Sequence, residues 1–163
     1  MKNPVMVLGI GNTLFTDDGA GIYAVRQAQS RWTGGGVDFA EAEIGGHDLI
    51  HYLVGYQAVL VVDVAVTGQF EPGELYLVDA GTMPAGLSGR AHGAGVGTAL
   101  ALARTLNLPL PGRLEFMAIE AQDIVTPGEV PTTPVADAIP VAAEEILRLA
   151  QAMAEEVRGV CMN

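Results

Sequence analysis

The chain is poor in cysteine, in positive charge, in serine and in long apolar runs, and each shortage excludes a class of function. Its single cysteine, Cys161, lies close to the end of the 163 residues. An intrachain disulfide is therefore impossible, and so is a cysteine metal cluster. At that terminal position Cys161 reads as a bystander. Basic residues are scarce too: 8 Lys and Arg stand against 19 Asp and Glu, a net charge of −11. Such a surface repels nucleic acid backbones and anionic membranes, which require clustered cations. It suits a partner that offers cations, a metal centre or a basic peptide. No stretch approaches the roughly 20 apolar residues that cross a bilayer. The opening MKNPVMVLGIGN has one lysine and an apolar run too short for a signal peptide, so a cytoplasmic location is expected. The two serines, Ser30 and Ser88, lie in no G-x-S-x-G elbow, which leaves serine hydrolysis without support. No repeat, linker or low-complexity tract interrupts the chain, and one domain over residues 1–163 is expected.

What the chain does have is apolar patterning and glycine. Half of its residues are hydrophobic and 21 are glycine, a composition for a compact globule with tight turns. PVMVLGI at 4–10 reads as a buried strand. Ile22, Val25 and Trp32 fall on helical spacing over 18–32, with Thr16 placed to cap the start. A weaker strand follows at 37–43 and a short helical piece at 48–54. AVLVVDVAV at 58–66 is the strongest strand signal, and ELYLVDA after the TGQFEPG turn reads as a hairpin return. A Gly- and Ala-rich helix at 92–107 and a strand at 112–121 come next. The last helix starts at Thr133-Pro134 and carries Ile139, Ala142, Ile146, Leu149 and Met153 on one face; Pro140 should kink it or mark its true start. This order predicts an α/β sandwich with a mostly parallel sheet of about five strands and one antiparallel hairpin strand.

In open parallel sheets, function gathers at the carboxyl ends of strands. Asp18 follows the turn after the first strand, Asp63 ends the apolar run VLVV, and His92 precedes a helix. If the first and third strands are neighbours, these side chains can converge. Two carboxylates and an imidazole suit a divalent cation such as zinc or nickel and leave a coordination position open. Taken singly, Asp63 reads equally as a helix cap and His92 as a satisfied loop histidine. The GIGNTL turn imitates a phosphate loop, but Leu14 stands where the dinucleotide fingerprint needs glycine. Asp17 and Asp18 also bring negative charge to the helix start, where like charges ~4 Å apart repel by about 4 kcal/mol at an effective dielectric of 20. HDLIH at 47–51 imitates a zinc-peptidase motif, with an aspartate too short to reach a metal-bound water.

VLGIGNTLFTDDGAGIYAV, AEIGGHDLI, LVVDVAV, AHGAG and IEAQDIVTPGEVPTTPV together resemble the [NiFe]-hydrogenase maturation proteases, in order and across nearly the whole chain. The resemblance implies a three-layer α/β/α sandwich, phosphorylase/hydrolase-like, and a cytoplasmic endopeptidase that removes a C-terminal extension from the hydrogenase large-subunit precursor after nickel insertion. It places the family's metal ligands on Asp18, Asp63 and His92, with nickel supplied by the precursor or a zinc-like ion in the site. It assigns the ligand of the acidic pair to Asp18 and leaves Asp17 a charge at a helix N-terminus. Substrate contact falls on Asn12, Gly45, Gly46 and His47, where many relatives read Gly-Gly-Thr and this chain reads Gly-Gly-His. No catalytic group beyond the ligands is named; a metal-polarised water is the natural attacking group. The precursor is the expected partner of a monomer that binds neither nucleic acid nor membrane. Two alternatives stay open: a nickel-binding, chaperone-like module that cuts nothing, and a hydrolase like the peptidyl-tRNA hydrolases, which share a G-x-G-N strand end.

Overall fold

A computed structural model describes residues 2–43, 46–79 and 93–160. Strand β1 (Val5–Ile10) leads through a 3-10 turn (Thr16–Gly19) into α1 (Ala20–Arg31) and β2 (Val37–Ala42). A second 3-10 turn (Gly46–Leu49) runs into the single-turn α2 (Ile50–Leu53), followed by β3 (Ala58–Ala65), β4 (Leu75–Asp79), α3 (Gly93–Thr105), β5 (Arg113–Glu120) and α4 (Thr133–Val160). The sheet order is β2-β1-β3-β5-β4, and only β4 runs antiparallel. Strand alternation sorts the core onto two faces. Val5, Val7, Leu60 and Val62 pack with α1 and α4, whereas Met6, Leu8, Val59 and Val61 pack with α2 and α3. The result is an α/β/α sandwich. No helix among the described residues is long and apolar enough to cross a membrane.

The expected hairpin between β3 and β4 is not formed. β5 lies between them and pairs in parallel with β3 over its whole length, so β4 reaches only the outer edge of β5. The reason lies in the connecting loop, which is held to β5 and not to β3. The backbone N–H of Gly73 donates to the Glu120 carbonyl (2.8 Å), and Glu120 N–H donates to the Glu74 carbonyl (2.9 Å). The Glu120 carboxylate, only 2% exposed, accepts from the N–H groups of Thr67 (2.8 Å) and Gly68 (2.9 Å) and from the Tyr76 hydroxyl (3.1 Å). Burial, then the Glu120 charge, raises the Tyr76 pKa and keeps that hydroxyl a donor.

At the other end of the chain, α4 runs unbroken for 28 residues through Pro140, which is therefore not its start. Pro140 is exposed, so the carbonyl it fails to satisfy is not stranded in the core.

Two features fix the start of α1. Gly21 is pressed against the sheet: a Cβ there would lie 2.6 Å from the Val62 carbonyl oxygen and 2.8 Å from that of Ile10. Leu14, by contrast, is 59% exposed, so it does not obstruct the packing of helix on strand; Gly21 supplies the close approach that position 14 supplies in a dinucleotide fold. Thr16 is not the cap of α1. Phe15 precedes the 3-10 turn without any side-chain cap, and the Thr16 hydroxyl is 2.8 Å from the Asp123 carbonyl and 3.0 Å from that of Thr126. Asp17 is fully buried and binds the same loop. Its carboxylate accepts backbone N–H groups from Gln122 (2.9 Å), Asp123 (2.8 Å) and Thr132 (2.7 Å), and the Thr132 hydroxyl at 2.9 Å.

Two substitutions test this framework. Gly21→Ala should lower unfolding free energy by about 2–3 kcal/mol, in the range of overpacked cores. A urea midpoint equal to that of the unsubstituted chain would mean that α1 can retreat from the sheet. Asp17→Asn sets an NH2 group against backbone donors and should cost about 3 kcal/mol, with faster amide exchange across residues 122–132. A loss of only a few tenths would reduce Asp17 to an ordinary helix-end charge.

Candidate functional site

The first and third strands are neighbours, and the chain leaves β1 in one direction to β2 and returns to β3 on the other side. Such a switch point opens a crevice at the carboxyl ends of the two strands. The last β1–β3 pair is Gly9 with Val62, so Asp63 is the first β3 residue beyond it. By alternation Asp63 shares the face of Val59 and Val61, toward the α2/α3 layer. β3 continues to Ala65, so Asp63 sits inside the strand and not at its end. Its Oδ1 accepts the N–H of Val64 at 2.8 Å.

Asp18 reaches the same crevice from the 3-10 turn. Gly11 makes that possible, because a Cβ on it would lie 2.0 Å from the Asp18 carbonyl oxygen. The space over the glycine turn is thus filled by the backbone of Asp18 and is not left open for substrate. Asn12 completes the turn: its N–H donates to the Asp18 carbonyl (3.2 Å), and its Oδ1 accepts the Leu14 N–H (3.0 Å). Successive residues of a 3-10 turn point about 120° apart. Asp17 accordingly faces the 122–132 loop, and Asp18, 6% exposed, faces the crevice.

The electrostatics single out Asp63. Burial pushes its carboxyl well above the usual range, the Val64 N–H opposes this, and the Asp18 charge adds to the rise. A carboxylate pair has been brought together, and among the described residues the Val64 N–H is the donor that offsets it on Asp63. Among the described residues no three His, Cys, Asp or Glu side chains form a metal-holding group. His92, expected as the third ligand, lies outside the described residues, as does Gly45.

The HDLIH segment folds as a 3-10 turn followed by one α-turn, and not as the single regular helix that the zinc-peptidase motif needs. His51 is exposed, and its carbonyl accepts from Lys2 Nζ at 3.3 Å. Gly46 and His47 open this 3-10 turn, on the side of α2 and α3. Sequence reasoning missed the donor-rich pockets around Asp17 and Glu120. The only local signals were an acidic residue beside a second one and a glutamate closing the apolar run MAIE.

Comparison with known proteins bears on the family and the fold. Residues 22–149 match the family model HycI, hydrogenase maturation protease. The hydrogenase expression/formation protein HupD of Bradyrhizobium diazoefficiens is 35% identical over 83 residues, covering 50% of this chain and 43% of that protein. The matching segment thus spans less than half the length of that relative. Among solved structures, the hydrogenase maturating endopeptidase HybD from E. coli superposes with a TM-score of 0.81 at 22% identity, over 94% of both chains. HybD from Thermococcus kodakarensis, a [NiFe] hydrogenase maturation protease, gives a TM-score of 0.63 at 23% identity, over 92% of this chain and 99% of that one. With a family model matching residues 22–149, and a fold shared with solved maturation proteases, the chain belongs to the hydrogenase maturation protease family.

Proposed function

We propose that this chain is an endopeptidase that trims the C-terminal extension from the large-subunit precursor of a [NiFe] hydrogenase once nickel has been inserted. The observation that carries the proposal is the meeting of Asp18 and Asp63 at the β1–β3 switch point, inside a family fold. The donor set fits a divalent cation. Two carboxylates that repel in a poorly hydrated crevice are relieved when a cation sits between them, and their oxygens suit zinc or nickel together with an imidazole. Asp18 and Asp63 would hold the ion, with His92, which immediately precedes Gly93 of α3, as the third ligand. When bound, the ion supplies Lewis acidity for peptide hydrolysis, whether it is the precursor's own nickel or a zinc-like ion of the enzyme.

The chain's own residues have distinct parts. Asp18 and Asp63 fix the charge and the position of the ion relative to the peptide. Asp17 is withheld from the ion by its four donors, so one acidic neighbour positions the loop while the other faces the crevice. The 45–47 segment, leading into α2, would contact the precursor and choose among large subunits.

The test is cleavage of purified precursor, loaded with nickel or made without it. The loaded form should be shortened and the nickel-free form should resist until nickel is added. Asp18→Asn and Asp63→Asn should each slow cleavage at least 100-fold while circular dichroism stays unchanged. Binding of the loaded precursor without any shortening would instead favour a chaperone-like module.

Acid–base linkage gives a second check on the site. Because folding raises the affinity of Asp63 for its proton, the stability it contributes is complete below the ordinary value of 3.8 and is lost as pH climbs through the raised one. In chelator, Asp63→Asn should therefore gain thermal stability relative to the unsubstituted chain as pH rises from about 4 to 8. A constant difference across that range would show that Asp63 titrates normally.

A further inference from the structure

The rim of the crevice carries a surface that neither the core nor the carboxylate pair accounts for. Residues 121–132 form no helix or strand beyond a single bridge, Phe15 to Pro127, yet they are held from many sides. Besides the Asp17 and Thr16 bonds, Gly128 N–H donates to the Leu14 carbonyl (2.9 Å), and the Tyr23 hydroxyl is 3.0 Å from the Glu129 carbonyl. The Asp123 carboxylate accepts the N–H groups of Val125 and Thr126, both at 3.0 Å. This ordering presents apolar side chains to water: Val125 is 71% exposed, Val130 77%, and Leu14, bonded to the same loop, 59%. Exposed valines gain nothing from folding, whereas a loop already ordered loses little entropy when a partner covers it.

Charge indicates what covers it. The described parts of the loops at this end of the sheet, within residues 11–19, 43–49, 66–74 and 121–132, contain no Lys or Arg. They contain Glu43, Asp48, Glu71, Glu74, Asp123 and Glu129 in addition to the two aspartates of the turn. Lys2 and Arg113 lie at the opposite, amino end of the strands, and Arg26 on α1 is paired with Glu41.

We infer that Leu14, Val125 and Val130, bordered by Glu43 and Glu129, form the docking surface for the body of the protein substrate, and that the substrate meets it with an apolar patch ringed by Lys and Arg. The inference rests on the endopeptidase reading and deepens it: the crevice takes the scissile segment, and the rim takes a folded, basic surface beside it. Apolar contact supplies the hold, and the acidic border speeds encounter and sets orientation.

Steady-state cleavage of nickel-loaded precursor by three proteins tests this: the unsubstituted chain, Val125→Ser/Val130→Ser, and Glu43→Gln/Glu129→Gln. The serine pair should raise KM at least tenfold with kcat within about twofold. The glutamine pair should raise KM at low salt and flatten its salt dependence, since exposed charges are screened over about 10 Å at 0.1 M. Thermal midpoints should stay the same, because all four side chains are exposed. Unchanged KM in both variants, with normal cleavage by the unsubstituted chain, overturns the docking surface and leaves the protease reading intact. Failure of the unsubstituted chain to cleave overturns that reading and the docking surface with it. Concentration-dependent dimerisation that the serine pair abolishes would assign the rim to a second copy, and would equally overturn the inference.

Discussion

The arrangement at the carboxyl end of the sheet depends on how closely the start of α1 is pressed into the gap between β1 and β3. At Gly21 the helix backbone meets the carbonyls of both strands, and Gly9 leaves no room for a side chain on the strand side either, a Cβ there lying 2.9 Å from the Gly21 carbonyl oxygen. With the helix seated this deeply, the preceding 3-10 turn has to cross directly over the switch point. Asp18 is delivered to Asp63 by backbone geometry, with no flexible tether between them. A bulkier residue at either glycine would lift the turn and separate the carboxylates before it disturbed anything else.

Asp17, Glu120 and Asp63, three of the buried or half-buried carboxylates near this end, show how surroundings divide labour among one type of chemical group. Asp17 and Glu120 are surrounded by N–H and O–H donors that compensate their charge, and each ties a loop to the sheet. Among the described residues Asp63 receives one backbone donor, and it faces a like charge. Burial and that neighbouring charge raise its pKa, and groups perturbed in this way concentrate at functional sites.

Much of this was legible in the sequence. The apolar runs and helical stripes marked every strand and helix of the described fold to within a few residues, because both report burial, which is locally periodic. The crevice followed from topology, since it opens where β1 ends between its neighbours β2 and β3, and Asp63 is the first β3 residue beyond the β1 pairing. What escaped was everything held by distant donors. Thr16 has the composition of a helix cap, but its hydroxyl found carbonyls more than a hundred residues away. Asp17 next to Asp18 gave no hint that loop amides would gather around it, and Glu120 gave none that it would hold the turn that carries β4 past β5. Residues 80–92, which include His92, lie outside the described structure, and there the sequence remains the sole guide.

The span of the Asp17 contacts bears on the order in which the molecule is completed. Asp17 is synthesised well before its donors at Gln122 and Thr132, which follow 105 and 115 positions later. Until they arrive, a carboxylate destined for full burial must stay in water, and the turn that carries Asp18 lacks its ties to residues 122–132. Contacts this distant form late and close large loops. The two aspartates therefore take up their places only after β5 has been made and α4 has begun, so a nascent or truncated chain would expose a sheet without a working crevice.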